Sequence, residues 1–157
     1  MIVVADTAPL NYLLLIREIE LLPHLYENVL IPPEVHRELS QPGSPAVVQR
    51  WAANLPAWSE VRSLIGFPDP TLKELDPGER EAIQLALEAG ADILLIDKTA
   101  GRREALRRHL RVSGTLSVLE KAGQRGLTDF RSALRELEQT NFRLSAKIRD
   151  EFLKRNP

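Results

Sequence analysis

Short apolar runs interrupt the chain, and each stops at a charge or a proline. Ile2 to Ala5 is rich in β-branched residues and ends at Asp6. Asn28 to Ile31 ends at Pro32-Pro33, and the run inside Asp92-Ile-Leu-Leu-Ile-Asp97 ends at Asp97. Continuous apolar runs this short belong to strands buried on both faces of a parallel sheet. Between them the period turns helical. Thr7 and Pro9 open a helix, with Asp6 or Thr7 as its cap, and Leu10, Leu13, Leu14 and the stem of Arg17 give it one face. Glu20 to Tyr26 reads as a second short helix or turn, and Pro33–Ser40 as a helix with Val35 and Leu39 one turn apart. Gln41-Pro-Gly-Ser-Pro45 is a loop, Ala46 to Leu55 a helix, and Ala57 to Leu64 holds a strand.

Gly66 to Thr71 is another loop, and Asp76-Pro-Gly-Glu79 then opens the best-marked helix. Its stripe is Ala82, Ile83, Ala86, Leu87 and Ala89, and Gly90 stops it. Thr99 to His109 is a basic helix. Arg111 to Ser113 is a short strand, and Thr115 to about Gln124 is a helix. Two polar helices, at about 129–139 and 145–154, finish the pattern. Strands alternating with helices predict an α/β sandwich around a parallel sheet.

The chain has no cysteine. That excludes disulfides, zinc–thiolate centres, iron–sulfur clusters and thiol nucleophiles together. MIVVAD lacks a basic n-region and meets Asp6 too early for a signal peptide. Apolar runs such as Leu13 to Ile16 are far below the roughly 20 residues that span a bilayer. A cytoplasmic protein with no membrane partner is the expectation. The net charge of −1 suggests no affinity for nucleic acid, but it conceals a segregation. Residues 1–97 carry a balance of −9, residues 98–125 a balance of +6, and residues 126–157 a balance of +2.

The acids fall where ligands bind. In an open parallel sheet, that place lies beyond the carboxyl ends of the strands. Asp6 and Asp97 each end a strand, and together they would resist ionising unless a cation sat between them. Glu38, on the helix after the second strand, and Glu79, at the start of the helix before the third, can join them. Oxygen ligands without cysteine select Mg²⁺ or Mn²⁺. Competing roles exist for each: Asp6 as a helix cap, Glu79 as a partner of a helix dipole, and Glu34 rather than Glu38 as the inward acid. For Asp97 the competing role is weaker, since Thr99 offers itself as the cap of the following helix.

These segments resemble a PIN domain of the VapC-like toxin group. The resemblance rests on Val4-Ala-Asp-Thr-Ala-Pro-Leu10, Leu30-Ile-Pro-Pro-Glu-Val-His-Arg-Glu-Leu39 and Asp76-Pro-Gly-Glu-Arg-Glu-Ala-Ile-Gln-Leu-Ala-Leu87. Ala91-Asp-Ile-Leu-Leu-Ile-Asp97 and Val112-Ser-Gly-Thr-Leu-Ser-Val-Leu119 follow, in the family's order. It implies a Rossmann-like three-layer α/β/α sandwich with a central parallel sheet. One domain would span 1–157, with a core of about 2–127 and C-terminal helices at about 129–154. It also implies a metal-dependent endoribonuclease in which Asp6, Glu38, Glu79 and Asp97 hold Mg²⁺ or Mn²⁺ and act catalytically, with Thr7 supporting Asp6. RNA as substrate, an antitoxin partner and a homodimer belong to the same implication. The chain departs from the pattern at Lys98, where many relatives carry a second acid. That ammonium would contact the substrate phosphate or weaken a second metal.

Arg102, Arg103 and Arg107, on the basic helix, are candidates for contact with RNA, set against the alternative of a solvated face. No aromatic stacking platform, Walker loop or dinucleotide-binding glycine motif is present, which places a small-molecule-binding Rossmann-like domain last. His24, His36 and His109 share no ligand spacing and read as structural or exposed. The competing function is a non-catalytic PIN-like module that binds RNA or a protein.

Overall fold

A computed structural model describes residues 1–157. Five parallel strands form one sheet in the order β3-β2-β1-β4-β5: β1 Ile2–Ala5, β2 Asn28–Ile31, β3 Ser59–Val61, β4 Ile93–Leu95 and β5 Val112–Ser113. The chain builds one half outward from β1 through β2 to β3. It then crosses back over α5 Pro77–Ala89 to lay β4 against the other side of β1. The strand order therefore reverses between β1 and β4, which opens a crevice at their carboxyl ends.

Alternate strand residues face opposite layers, as the pleat demands. Val3, Ala5, Val29, Ile31 and Leu95 enter the larger core, with α1 Thr7–Leu15, α2 Leu21–Tyr26, α3 Pro33–Leu39, α4 Ala46–Ala53, α7 Thr115–Gln124 and α8 Phe130–Glu138. Val4, Leu30, Leu94 and Ile96 enter the smaller core, with α5 and α6 Thr99–Arg107. Both faces of the sheet are covered around its centre, which is why β1, β2 and β4 read as apolar runs, while the edge strand β3 does not. The fold is the expected α/β sandwich with a parallel sheet.

Local expectations fail in instructive ways. Helix α1 ends at Leu15, and Arg17 turns away with φ +62°, so its stem extends no helical face. On α5 the buried stripe takes Leu85 with Ala82, Ile83 and Ala86, while Leu87 is exposed. Helix α8 buries Phe130, Ala133, Leu134 and Leu137 at helical spacing and belongs to the core rather than to a polar tail. Helix α9 Ala146–Arg155 buries no residue fully. No helix is long and apolar enough to cross a membrane.

Candidate active site

Strand β1 delivers Asp6 to the crevice. Its amide donates to Leu95 O of β4 (2.9 Å), so the backbone still follows the sheet where the side chain leaves it. Asp6 stands at the cap position of α1 but makes no side-chain capping bond. It is 3 % exposed, and its Oδ1 has no hydrogen-bond partner. Burial pushes its pKa up to about 8. The Thr7 amide opposes that rise, while the charges of Asp76, Glu79 and Glu38 add to it. A buried polar atom without a partner costs about 1–3 kcal/mol, and no helix-capping bond offsets that cost here.

Glu38 is the inward acid of α3. Its Oε2 accepts a short hydrogen bond from the Thr7 hydroxyl, and its carboxylate lies against Gly78 of α5. Burial raises its pKa, the Thr7 bond opposes this, and Asp76 and Glu34 raise it further. Glu34 is instead engaged by Arg37, whose Nε donates to its Oε2 (2.9 Å). The spacing left these two acids open, and the fold separates them.

Glu79 sits in the first turn of α5 and is 3 % exposed. Burial and the adjacent Asp76 push its pKa up to about 7, against the pull of Lys98. Asp76 also belongs to this cluster, although its sequence context marks only a helix start. It does cap the helix, Oδ1 accepting from the Glu79 amide (2.9 Å), but its second oxygen faces Lys98. Burial raises Asp76, and the Glu79 and Lys98 bonds more than offset that, leaving its pKa lowered. An Asp in an Asp-Pro-Gly-Glu cap has one oxygen to spare, and that was the available signal.

Asp97 lies two residues beyond the end of β4. Both its oxygens are held at the start of α7: Oδ1 accepts from the Thr115 amide and Oδ2 from the Thr115 hydroxyl, each at 2.7 Å. Burial raises its pKa, while the two Thr115 bonds and the Arg102 charge oppose it. Thr115 lay within a segment that carries the resemblance but had been given no role. Thr99 is not the cap of α6; Lys98 holds that position without a capping bond.

Lys98 Nζ lies 2.9 Å from Asp76 Oδ2 and 3.3 Å from Glu79 Oε1. The neighbouring carboxylates hold its pKa well above the usual range for lysine, the Asp76 bond most of all. Arg102 Nη1 donates to Ile96 O (3.0 Å), which pins it beside Asp97. Arg103 is exposed, and Arg107 is exposed and paired with Glu104 (3.0 Å). A groove of about 650 Å³ runs beside Asp97 and Lys98. It is closed by Tyr12 and by Asn141 and Arg143 from the segment before α9, residues for which the sequence offered no functional signal. The histidines stay outside: His24 Nδ1 pairs with Glu20 O and His36 Nε2 with Ala52 O.

The oxygen-only donors around the unpartnered Asp6 Oδ1 suit a hard divalent cation. As they stand, no three acidic or histidine side chains converge into a ligand set. Asp6 feels Asp76, Glu79 and Glu38, whereas Asp97 lies under Arg102. The chemistry of the donors fits a metal, while their present arrangement leaves the ligand set open.

No curated protein matches the chain. A protein-family model described as a PIN domain matches residues 2–156, from β1 into the last helix. With that match over nearly its whole length, on this sheet and these strand-end acids, the chain belongs to the PIN-domain family.

Proposed function

We propose that the protein is a metal-dependent endoribonuclease. The observation that carries this reading is the buried, unpartnered Oδ1 of Asp6, set beside Glu38, Asp76 and Glu79 at the sheet's reversal point. Asp6, Glu38, Glu79 and Asp97 are the residues that would hold Mg²⁺ or Mn²⁺. What such a site supplies when loaded is Lewis acidity toward water and toward the phosphodiester. Thr7 orients Glu38, and Thr115 orients Asp97. The exposed guanidinium of Arg103 and the Lys98 ammonium offset the charge of the acids toward an RNA backbone. The finer reading is the toxin of a toxin–antitoxin pair, acting as a homodimer. Its support is the resemblance over five ordered segments, and a small neighbouring gene for a DNA-binding partner would test it.

The experiment is RNA cleavage by the purified protein with Mn²⁺, beside Asp6→Asn. Cleavage lost in the variant and abolished by chelation is the expected result. Equal behaviour of the two proteins overturns the catalytic reading.

A second reading, a non-catalytic module that binds RNA or a protein, is favoured by Lys98 within the acid cluster and by the engagement of both Asp97 oxygens. Thermal stabilisation by millimolar Mn²⁺ supports the enzyme, and its absence supports the module.

A further inference from the structure

Lys98 is the one cation inside the acid cluster, and its position is built. The chain leaves β4, passes Asp97, and turns into α6 with Lys98 at the cap position, extended at φ −66° and ψ 135°. That turn aims the side chain back across the crevice to α5. Asp76 Oδ1 is already committed to the Glu79 amide, so its Oδ2 is fixed in direction, and Lys98 Nζ meets it at 2.9 Å. Glu79 Oε1 lies 3.3 Å from the same nitrogen. An ammonium within reach of two carboxylates stands where a divalent ion would have to stand to bridge them.

We propose that Lys98 is a resident second cation: its ammonium fills the half of the cluster beside Asp76 Oδ2 and Glu79 Oε1, and the chain takes a single divalent ion at the Asp6–Glu38 half, to which Glu79 can still turn its other oxygen. This rests on the metal-dependent reading above and deepens it. Two observations separate the halves. The fully buried acceptor without a partner is Asp6 Oδ1, and no oxygen of Asp76 or Glu79 is both buried and unpartnered in that way. The ammonium has three donor hydrogens and two carboxylate partners, and its side chain is 63 % exposed, so one hydrogen stays available to a phosphate oxygen. Lys98 thus offers substrate the charge that a second ion would otherwise bring, without a second ion's cost of loading. A divalent ion forced between Asp76 and Glu79 would meet the ammonium at close range and be repelled.

The test counts ions directly. Mn²⁺ is titrated into the wild type, Lys98→Met, Lys98→Glu and Asp6→Asn by calorimetry at one pH. Melting is followed with chelator and with saturating Mn²⁺. The wild type is expected to bind one Mn²⁺ per chain, and Asp6→Asn to lose it. Lys98→Met and Lys98→Glu are expected to bind two. In chelator, Lys98→Met is expected to melt below the wild type, because Asp76 and Glu79 then face each other unpaired, and to gain more on adding Mn²⁺. Lys98 is exposed, so neither variant disturbs the core. Two Mn²⁺ on the wild type, or one on every Lys98 variant, overturns the inference and leaves the metal-dependent reading standing. No Mn²⁺ on the wild type overturns both.

Discussion

The carboxylate of Glu38 occupies the space that a side chain at position 78 would need: a Cβ on Gly78 would fall 2.7 Å from Glu38 Oε1 and 2.9 Å from Oε2. Two helices from opposite halves of the sheet are fitted so that one supplies an acid and the other supplies its room. Gly78 is not among the residues with positive φ, so alanine there is not strained by its backbone. The clash is with the free end of a flexible side chain, which can swing away. Gly78→Ala is therefore expected to keep its stability within about 1 kcal/mol. RNA cleavage is expected to fall roughly 100-fold through misplacement of Glu38. Chemical denaturation and a cleavage assay on one preparation check both halves.

Asp6→Asn is expected to stabilise the metal-free protein at pH 8 while abolishing cleavage. The folded-state pKa of Asp6 is about 8, against an ordinary 3.8. The folded state therefore holds its proton more tightly than the unfolded chain does. Stability falls as pH rises from about 4 to about 8, the window in which the unfolded chain releases that proton first. Asparagine has no proton to release. Its advantage should exceed about 1.4 kcal/mol at pH 8, the worth of one pKa unit, and shrink toward pH 4. A wild type that melts as high as the variant at pH 8 in chelator contradicts this.

Affinity for Mn²⁺ is expected to rise steeply between pH 6 and pH 8 (roughly tenfold per pH unit for each proton displaced). Glu79, at about 7, and Asp6, at about 8, must both lose protons before they can serve a cation fully. Calorimetry in two buffers of different ionisation enthalpy counts the protons released. A flat affinity over that range would show that neither acid takes part.

Thr115→Val is expected to lower stability by about 1.5–3 kcal/mol, the value of a hydrogen bond to a charged group. Thr115 is fully buried, and its hydroxyl donates to Asp97 Oδ2 at 2.7 Å. Valine keeps the volume and removes the donor. Without it, the Asp97 pKa climbs further and its carboxylate loses its aim, so cleavage should drop as well. Urea denaturation at neutral pH beside the cleavage assay gives the comparison.

The arginines of α6 are expected to divide by role. Arg103 and Arg107 are exposed, so replacing both by alanine should weaken RNA binding and flatten its salt dependence by roughly 0.7 per lost phosphate contact. Arg102 holds Ile96 O, so Arg102→Ala should act chiefly on stability and on Asp97. Filter binding across a salt series separates the two effects.

Much of this molecule is legible in the order of its residues. Ile2–Ala5, Asn28–Ile31 and Ile93–Leu95 are strands because unbroken apolar segments need cover on both faces. Asp6 and Asp97 could be placed at one edge because parallel neighbours end together. Periodicity also marked α5, but it put Leu87 on the buried stripe where the structure has Leu85. That depends on how the helix rolls against the sheet.

The sequence by itself determined the strands, the layers and the edge at which the acids collect, since these follow from local apolar pattern and chain direction. The tertiary structure alone decided how the acids are used. Glu38 rather than Glu34 turns inward because Thr7 and Gly78, distant in the chain, receive it. Asp97 is held by Thr115, and Lys98 reaches Asp76 across the crevice from the next helix start. These choices are contacts between segments far apart in sequence. Burial and charge set their strength, and neither exists until the sheet has brought the segments together.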